Sequence, residues 1–576
     1  MKRIYLLALI TLLTCLTSCD NERGAAERSS LSKVQTPYKA KPESLKQWQD
    51  ARYGMFIHWG PVSITEKEIS WSRTNTNPKC PNNGVTPADV YDNLYKEFNP
   101  TEFDAKEWVS IAQASGMKYM VFTAKHCDGF LMWDSKVDDY NIMNTPFGRD
   151  VCAELADAAH EAGMKLGWYF SPMDWRDPDC RNEKNAEFVK RMQAELTELL
   201  SNYGKIDILW FDSDGRPIPW DQEVTYSFVR KLQPDIIIDN RLDIATTEEW
   251  ITQSIGPWAD FHTPEQYIGG FDERPWESCM TISARDQWSW GGKSDGVKSF
   301  ESCLNMVTGC AGGNGNVLMN VGPTPLGKIA PEQANRLKEV GSWLKKYGES
   351  IYGSRGGPFM PAYYGVSTHK DKSIYLHLRN LGGATITLPA IDAKIKRARL
   401  LTGGSVSYTQ SSDEIEITIP EKDYQPIDTI VELKLDRKAS TIAPINMALA
   451  SLTYGKKTTA SNTYQSLSEY DAGKATDGND TTRWATDAGL KSAWLQVDLE
   501  KTEAFSMALI KEAYAGRIQK FQLQKKVGDK WKTFYEGTAT DLKKMITFDP
   551  VRSQYVRFNV SESTDGPTVH QFQLLK

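Results

Sequence analysis

Between residues 45 and 350 the chain repeats one pattern, a short apolar run followed by a stretch with apolar residues at helical spacing. No other feature constrains the fold as much. Strands joined in series by helices must lie parallel, and a parallel sheet is covered on both faces, so its strands read as nearly continuous apolar runs. The runs are 54–59 (GMFIHW), 119–125 (YMVFTAK), 165–170 (KLGWYF), 206–211 (IDILWF), 235–239 (DIIID) and 317–321 (VLMNV), with less regular strands within 259–265 and 276–290. Between them, Val189, Met192, Leu196, Leu199, Leu200 and Tyr203 recur at helical spacing, and the segment from Asp150 to Ala162 stops at Gly163, a residue suited to a left-handed C-terminal turn. Some 300 residues in six to eight such units predict a (β/α)8-like barrel over 45–354. A doubly wound open sheet is the alternative, and no GxGxxG follows the first strand to support it.

The period then changes. Short alternating runs such as KSIYLHLRN, ATITLPA, EIEITIP and TIVELKL, parted by Gly, Asp and Pro, predict an antiparallel β-sandwich over 355–437. Residues 438–445 (KASTIAPI) read as a linker, and 446–576 as a second β-rich domain. With 68 Lys and Arg against 74 Asp and Glu, and no long basic run, nucleic acid is excluded as a natural partner. Cysteines number nine without a CxxC pair, and the seven His form neither HxH nor HExxH, so a zinc site and a metal-dependent hydrolase have no ligand set. At the N-terminus, Met1-Lys2-Arg3, an apolar stretch at 4–16 and LTSC at 16–19 resemble a bacterial lipoprotein signal. On that reading residues 1–19 are the signal, Cys19 carries the lipid anchor, 20–44 are a tether, and the protein is exported to the periplasm or outer membrane.

In a barrel of this kind, residues at the C-terminal ends of the strands surround one pocket. Candidate strand ends here carry His58-Trp59, Lys125-His126, Tyr169, Asp212, Asn240-Arg241 and Asn320. The run KIDILWFDSDG (205–215) holds three carboxylates, which period-two alternation separates. Ile206, Ile208, Trp210 and Asp212 share a face that ends at the mouth; Asp207 lies near the start of the strand and reads as structural, Asp214 as a turn residue before Gly215. A carboxylate beside an indole at such a mouth fits glycoside hydrolysis, which needs a second carboxyl group as acid/base. Glu265 and Glu277 are both placed to supply it, and spacing alone does not choose between them.

The motifs FIHWGP, AKHCDGFLMWDS, GWYFSPMDW, LWFD, TPEQYIGGF, PWESCMTI and LMNVGPTPLGKI occur in that order, and together they resemble family 29 glycoside hydrolases, the α-L-fucosidases. The resemblance implies a retaining mechanism on a (β/α)8-like barrel followed by a β-sandwich. It places the nucleophile on Asp212 and the acid/base on Glu265, with Glu277 as the alternative. Fucose contacts fall on His58, His126, Tyr169 and Trp210, an aromatic wall on Trp290, and rim positions on Glu68, Trp71 and Cys127. Three positions depart from the family pattern: Cys127 stands where a second His is common, Gly292 where a Tyr is common, and the segment EISW (68–71) replaces Glu-Trp-Tyr. These departures resemble the branch that prefers α-1,3/1,4-linked fucose.

NMALA, ATDGNDTTRW, WLQVDLEK and RIQKFQLQ in the last domain resemble discoidin, or coagulation factor 5/8 type C, domains, which include family 32 carbohydrate-binding modules. That resemblance implies a structural Ca²⁺ at Asp477, Asp480 and Thr482, weakened by Gln571 where the class has a Glu. The expected activity is release of L-fucose from fucosylated glycans, with no cofactor in catalysis. Two other readings stay open: a surface glycan-binding lipoprotein whose barrel has lost activity, and a retaining glycosidase for another sugar.

Overall fold

The computed structural model describes residues 39–75, 82–180, 184–213, 222–242, 254–379, 385–538 and 542–576. The residues up to 38, read from the sequence as a lipoprotein signal with Cys19 and part of a tether, lie outside these residues, as does Asp214. The described chain divides into two compact units, one of 274–303 and 316–345 together with the residues up to 267, the other of 268–273, 304–315 and 346–576.

In the first unit, seven strands pair in parallel: β1 Tyr53–Ile57, β2 Tyr119–Lys125, β3 Lys165–Phe170, β4 Ile208–Phe211, β5 Ile237–Ile238, β6 Glu277–Thr281 and β7 Asn316–Val321. Their order across the sheet is β5-β4-β3-β2-β1-β7-β6. The irregular segment 259–265 makes single parallel bridges to both ends of this order, through Asp239 and Phe261 on one side and through His262 with Trp276 and Glu265 with Cys279 on the other. Alternation sends Phe56, Tyr119, Val121, Ile208, Trp210, Ile237, Cys279 and Leu318 into one apolar cluster, with Trp48 from the helix Pro42–Ala51.

The intervening helices end where the sequence says they should. Asp104 and Asp150 cap the helices Ala105–Ala114 and Val151–Glu161 by accepting backbone N–H groups, and Gly163 follows the second with φ 64°. The helix Asn185–Ser201 buries Val189, Met192, Leu196, Leu199 and Leu200, the stripe read from the sequence.

In the second unit, a five-stranded antiparallel sheet orders Arg355–Gly356, Gly365–Lys370, Ser373–Leu378, Thr429–Leu435 and Ile395–Leu400, and a three-stranded one orders Thr385–Pro389, Glu414–Thr418 and Ser407–Gln410. The sequence run 398–410 is therefore two strands in different sheets, parted at Gly403-Gly404, both with positive φ. The last domain is built on Ala493–Glu512, Ile518–Val527, Lys530–Thr538, Lys544–Ser563 and Thr568–Leu575, all antiparallel.

The segment 438–445 departs from its reading as a linker. Ala439 is buried, Ile442 and Ile445 pack on the core of the preceding sandwich, and the Ile445 backbone bonds to Pro358 and Met360. Three of its eight residues are apolar enough to be worth burying, which a solvated tether does not allow. Met507 and Leu575 of the last domain join the same core.

Strand β3 must approach β4 closely, and Gly167 allows it: a Cβ there would meet the Ile208 Cβ at 2.7 Å and its carbonyl oxygen at 2.9 Å. Gly167→Ala is expected to cost about 1–3 kcal/mol of stability by overpacking, read as a lower urea midpoint for the transition that reports Trp burial in this unit; an unchanged midpoint would show that the two strands can part.

Candidate active site

The ends of these strands meet around a cavity of about 240 Å³ whose wall includes Phe56, His58, Trp71, His126, Cys127, Tyr169, Trp210, Asp212, Arg241, Glu265 and Trp288. They come from several successive turns of the strand–helix pattern. His58 and Asp212 follow β1 and β4 directly, and Tyr169 lies within β3. His126 and Cys127 follow β2, whose last residue, Lys125, is buried against Glu195 (2.8 Å) and Asp174 (3.2 Å). That ion triad and the bond from the Trp175 N–H to the Cys127 carbonyl (2.8 Å) fix the loop behind the pocket.

Two carboxylates face the cavity, and one guanidinium joins them. Arg241 donates through Nη1 to Asp212 Oδ1 (2.8 Å) and through Nη2 to Glu265 Oε2 (2.9 Å). Its Nε donates to Thr263 Oγ1 (2.9 Å), and its plane lies over the Trp210 ring, 4.6 Å from the centroid. Burial works against the charge of this arginine, but Asp212 and Glu265 outweigh it and raise its pKa well above the ordinary value. The Tyr169 hydroxyl donates to the other Asp212 oxygen (2.7 Å). Burial, with Asp212 beside it, lifts the Tyr169 pKa, so the hydroxyl keeps the proton it donates. Asp212 is thus held at both oxygens and still keeps a quarter of its side chain exposed to the cavity.

Glu265 owes its place to the next residue. Gln266 takes a left-handed turn (φ 52°) and clasps Thr281, its Nε2 donating to the hydroxyl (2.9 Å) while its Oε1 accepts the backbone N–H (3.2 Å). Loop geometry, not strand periodicity, aims this carboxylate.

The two histidines are neutral. Burial drives the His58 pKa well below 6.5, with His126 adding to the effect, and burial takes that of His126 down to about 3. Asn320 donates its Nδ2 to the Trp288 carbonyl (2.7 Å), so its Oδ1 is left to accept from His58 Nδ1 (2.7 Å), and His58 Nε2 is an acceptor. Ser70 Oγ accepts the Asp128 N–H (2.9 Å) and lies 2.6 Å from His126 Nδ1, with the Cys127 sulfur 3.2 Å from the same nitrogen. A sugar hydroxyl set against His58 Nε2 can donate to it. Cys127, buried with its pKa pushed up by burial and by Asp212, lines the wall as a thiol.

Not every predicted residue reaches the cavity. Glu68 is spent on backbone: its carboxylate accepts from the N–H groups of Trp288 (2.8 Å), Ser289 (3.0 Å) and Ile69 (3.0 Å). It thereby presents Trp288, which packs on His58 at 5.0 Å between centroids; Trp288, two residues before Trp290, is the indole on the pocket wall. Trp290 is not among the lining residues, because the clasp fixes the loop in that register. Gly292 has φ 81° and a Cβ there would strike Glu66, which explains the missing side chain at that position. Trp71 does line the rim, 47% exposed and edge-on to Trp175 at 5.4 Å.

Glu277 opens β6 and is wholly buried below the pocket, where it accepts from Trp210 Nε1 (3.3 Å) and the Tyr119 hydroxyl. Asp207, at the other end of its strand from the mouth, binds Lys205 (2.6 Å) and Lys165 (3.3 Å). The sequence reading missed the role of Arg241, although it marked Asn240-Arg241 as a polar strand end, and it missed Trp288, for which alternation in a loop offers no signal.

In the last domain, Thr482 Oγ1 lies 2.7 and 2.9 Å from the two Asp477 oxygens and 2.9 Å from the Asn479 carbonyl. Gln571 Nε2 donates to that same carbonyl (3.0 Å), while its Oε1 is buried without a hydrogen-bond partner. Asp480 turns away to pair with Lys511 (2.6 Å).

Residues 23–349 match the family model described as Alpha-L-fucosidase, and 457–571 the F5/8 type C domain. The plasma α-L-fucosidase of Homo sapiens is 31% identical over 58% of this chain and 75% of its own length. α-L-fucosidase isoenzyme 1 from Paenibacillus thiaminolyticus superposes with TM-score 0.60 at 32% identity, over 68% of this chain and 99% of that one. A Bacteroides thetaiotaomicron GH29 α-L-fucosidase, solved as a trapped covalent intermediate, gives TM-score 0.59 at 25% identity, over 69% and 97%. For the fold alone, a Vibrio α-L-fucosidase at 20% identity gives TM-score 0.66 over 94% of this chain and 99% of that one.

Arg241→Lys keeps the charge and loses the fork that spans two carboxylates. It is expected to lower kcat/KM by about 10²-fold, and Arg241→Met by at least as much, in steady-state kinetics on the best substrate. Kinetics of the Lys variant matching the wild type would show that charge alone suffices.

Proposed function

Since the chain belongs to the α-L-fucosidase family and is a glycoside hydrolase of that kind, we propose that it acts as a retaining exo-enzyme with Asp212 as nucleophile and Glu265 as acid/base. The observation that carries this reading is the shared guanidinium of Arg241. Two carboxylates on one fork sit close together, in keeping with the ~5–5.5 Å spacing of a retaining pair. The bridges that 259–265 makes to both ends of the sheet fit a closed (β/α)8-like barrel with Glu265 on its eighth, irregular strand.

In the first step Glu265 gives its proton to the glycosidic oxygen as Asp212 Oδ attacks the anomeric carbon. The bond to the leaving sugar breaks with its electron pair on that oxygen, and a fucosyl-enzyme ester forms. Glu265, now a carboxylate, takes a proton from water as the water attacks the same carbon, releasing L-fucose with its configuration retained and freeing Asp212. Tyr169 and Arg241 stabilise the Asp212 carboxylate before attack and as it leaves. His58, accepting through Nε2, and His126 meet a sugar hydroxyl without charge. Glu277 has no place in these steps, since it lies beneath the indole and away from the cavity.

The substrates on this reading are fucosylated glycans with α-1,3/1,4 linkages. The exposed Trp71 offers the leaving sugar an apolar face at the rim. Attachment through a lipid on Cys19 after export completes the proposal for where the enzyme works. In the last domain the oxygens of Asp477, Asn479, Thr482 and the unpartnered Gln571 fit a hard cation. They would hold a structural Ca²⁺ there, with Asp480 excluded by its pairing to Lys511.

Asp212→Asn is expected to lower kcat by roughly 10³-fold or more. Glu265→Gln should slow turnover while azide restores it on a fucoside with an activated leaving group; azide rescue of Glu277→Gln instead would overturn the assignment. Comparing a Lewis-type trisaccharide with 2′-fucosyllactose reads the linkage. Chelation with EDTA should lower the thermal midpoint of the wild type and leave that of Asp477→Asn unchanged; equal shifts in both would remove the cation from this loop.

A further inference from the structure

One layer below the cavity, a carboxyl group sits among apolar side chains. Glu277 is the first residue of β6, and its side chain enters the apolar cluster of Tyr119, Ile208, Trp210, Cys279 and Leu318. A carboxyl in such surroundings costs free energy, and a Leu of similar size would pack without that penalty. Burial pushes its pKa up to about 7, countered only by hydrogen bonds. Two donors meet it, Trp210 Nε1 at Oε1 (3.3 Å) and the Tyr119 hydroxyl at Oε2.

What the first of these bonds fixes is the tilt of the Trp210 ring. That ring is the one surface shared by both groups that bind Asp212. Tyr169 stacks on it with centroids 5.6 Å apart and planes 17° from parallel, and the Arg241 guanidinium lies over it at 4.6 Å. An indole without a partner for its N–H would turn to find one, and Tyr169 and Arg241 would shift with it. Asp212, held at one oxygen by each of them, would lose its aim.

We propose that Glu277 is a positioning residue for the nucleophile, acting through the Trp210 indole from beneath the pocket. This rests on the reading of Asp212 as nucleophile. It assigns Glu277 a role distinct from proton transfer: it touches no sugar and it sets the geometry of the groups that do.

The test is a double-mutant cycle in kcat on the α-L-fucoside that the wild type turns over best. Glu277→Met withdraws the acceptor from Trp210, and Trp210→Phe withdraws the donor. Glu277→Met alone is expected to lower kcat at least tenfold with KM changed less than threefold. In the Trp210→Phe background the same change should cost less than threefold. Glu277→Gln, whose amide oxygen still accepts the indole hydrogen, should stay within threefold of the wild type. Should the Met variant not fold, Glu277→Asp runs the same cycle, since it keeps a buried carboxyl and draws it one methylene away from the indole. A fall in kcat of the same size in both backgrounds would overturn the proposal, because Glu277 would then act without Trp210. A wild type that hydrolyses no α-L-fucoside would instead overturn the functional reading itself.

Discussion

A guanidinium taken out of water must find its counter-charges inside the protein, and the pocket is organised around that need. Arg241 is almost wholly buried, and its fork reaches both carboxylates on the cavity wall while its flat face rests on Trp210. The remaining lining groups are uncharged in consequence or by burial: two neutral histidines, a thiol and a phenol. Removing the arginine would leave two carboxylates facing each other in a partly dry cavity, where repulsion is screened far less than in water. One cation with two partners ties Asp212 and Glu265 together over the face of Trp210.

That arrangement also sets the division of labour among the aromatic residues. Trp210, Tyr169 and His126 form a nearly parallel stack, with interplanar angles of 17° and 8°, so the floor of the pocket is one continuous π surface. Trp288 and Phe56 meet His58 from the other side. A sugar presents an apolar C–H face and a ring of hydroxyls, and this wall offers apolar faces with donors and acceptors at their edges.

How far the sequence foretold this depended on the kind of element. Where side chains sit on strands, period two placed them: Trp210 and Asp212 share the inner face, and Asp207 binds lysines at the far end. The same rule contained a clue about Glu277. It precedes the apolar residues of its strand, whereas Asp212 and His58 follow theirs, so the two acids had to lie at opposite ends of parallel strands. Loops gave no such purchase. Whether Trp288 or Trp290 walls the pocket depends on Glu68 gripping two backbone N–H groups of a segment some 220 residues away, and no local pattern records that contact. Glu265 was picked out by its motif, but its direction depends on a left-handed Gln266. The segment 438–445 was misjudged because Ser, Thr and Pro are interspersed with its Ile and Ala, so no apolar run marks the residues that pack on the core.

The core shared by the two β-sandwiches has a bearing on how such a chain is inherited. A domain joined by a solvated tether can be gained, lost or exchanged as a cassette, since neither side depends on the other for its interior. Here Met507 and Leu575 supply apolar surface to the same interior as Leu376, Ile417 and Leu433, with Ile445 bonded into the backbone between them. A recombination event at the seam would leave the last domain's own core of Trp484, Leu495, Phe521 and Phe558 whole and uncover the contacts at Met507 and Leu575. Gaining or losing the last domain therefore asks for a few matching apolar residues at the seam, not for a new interior.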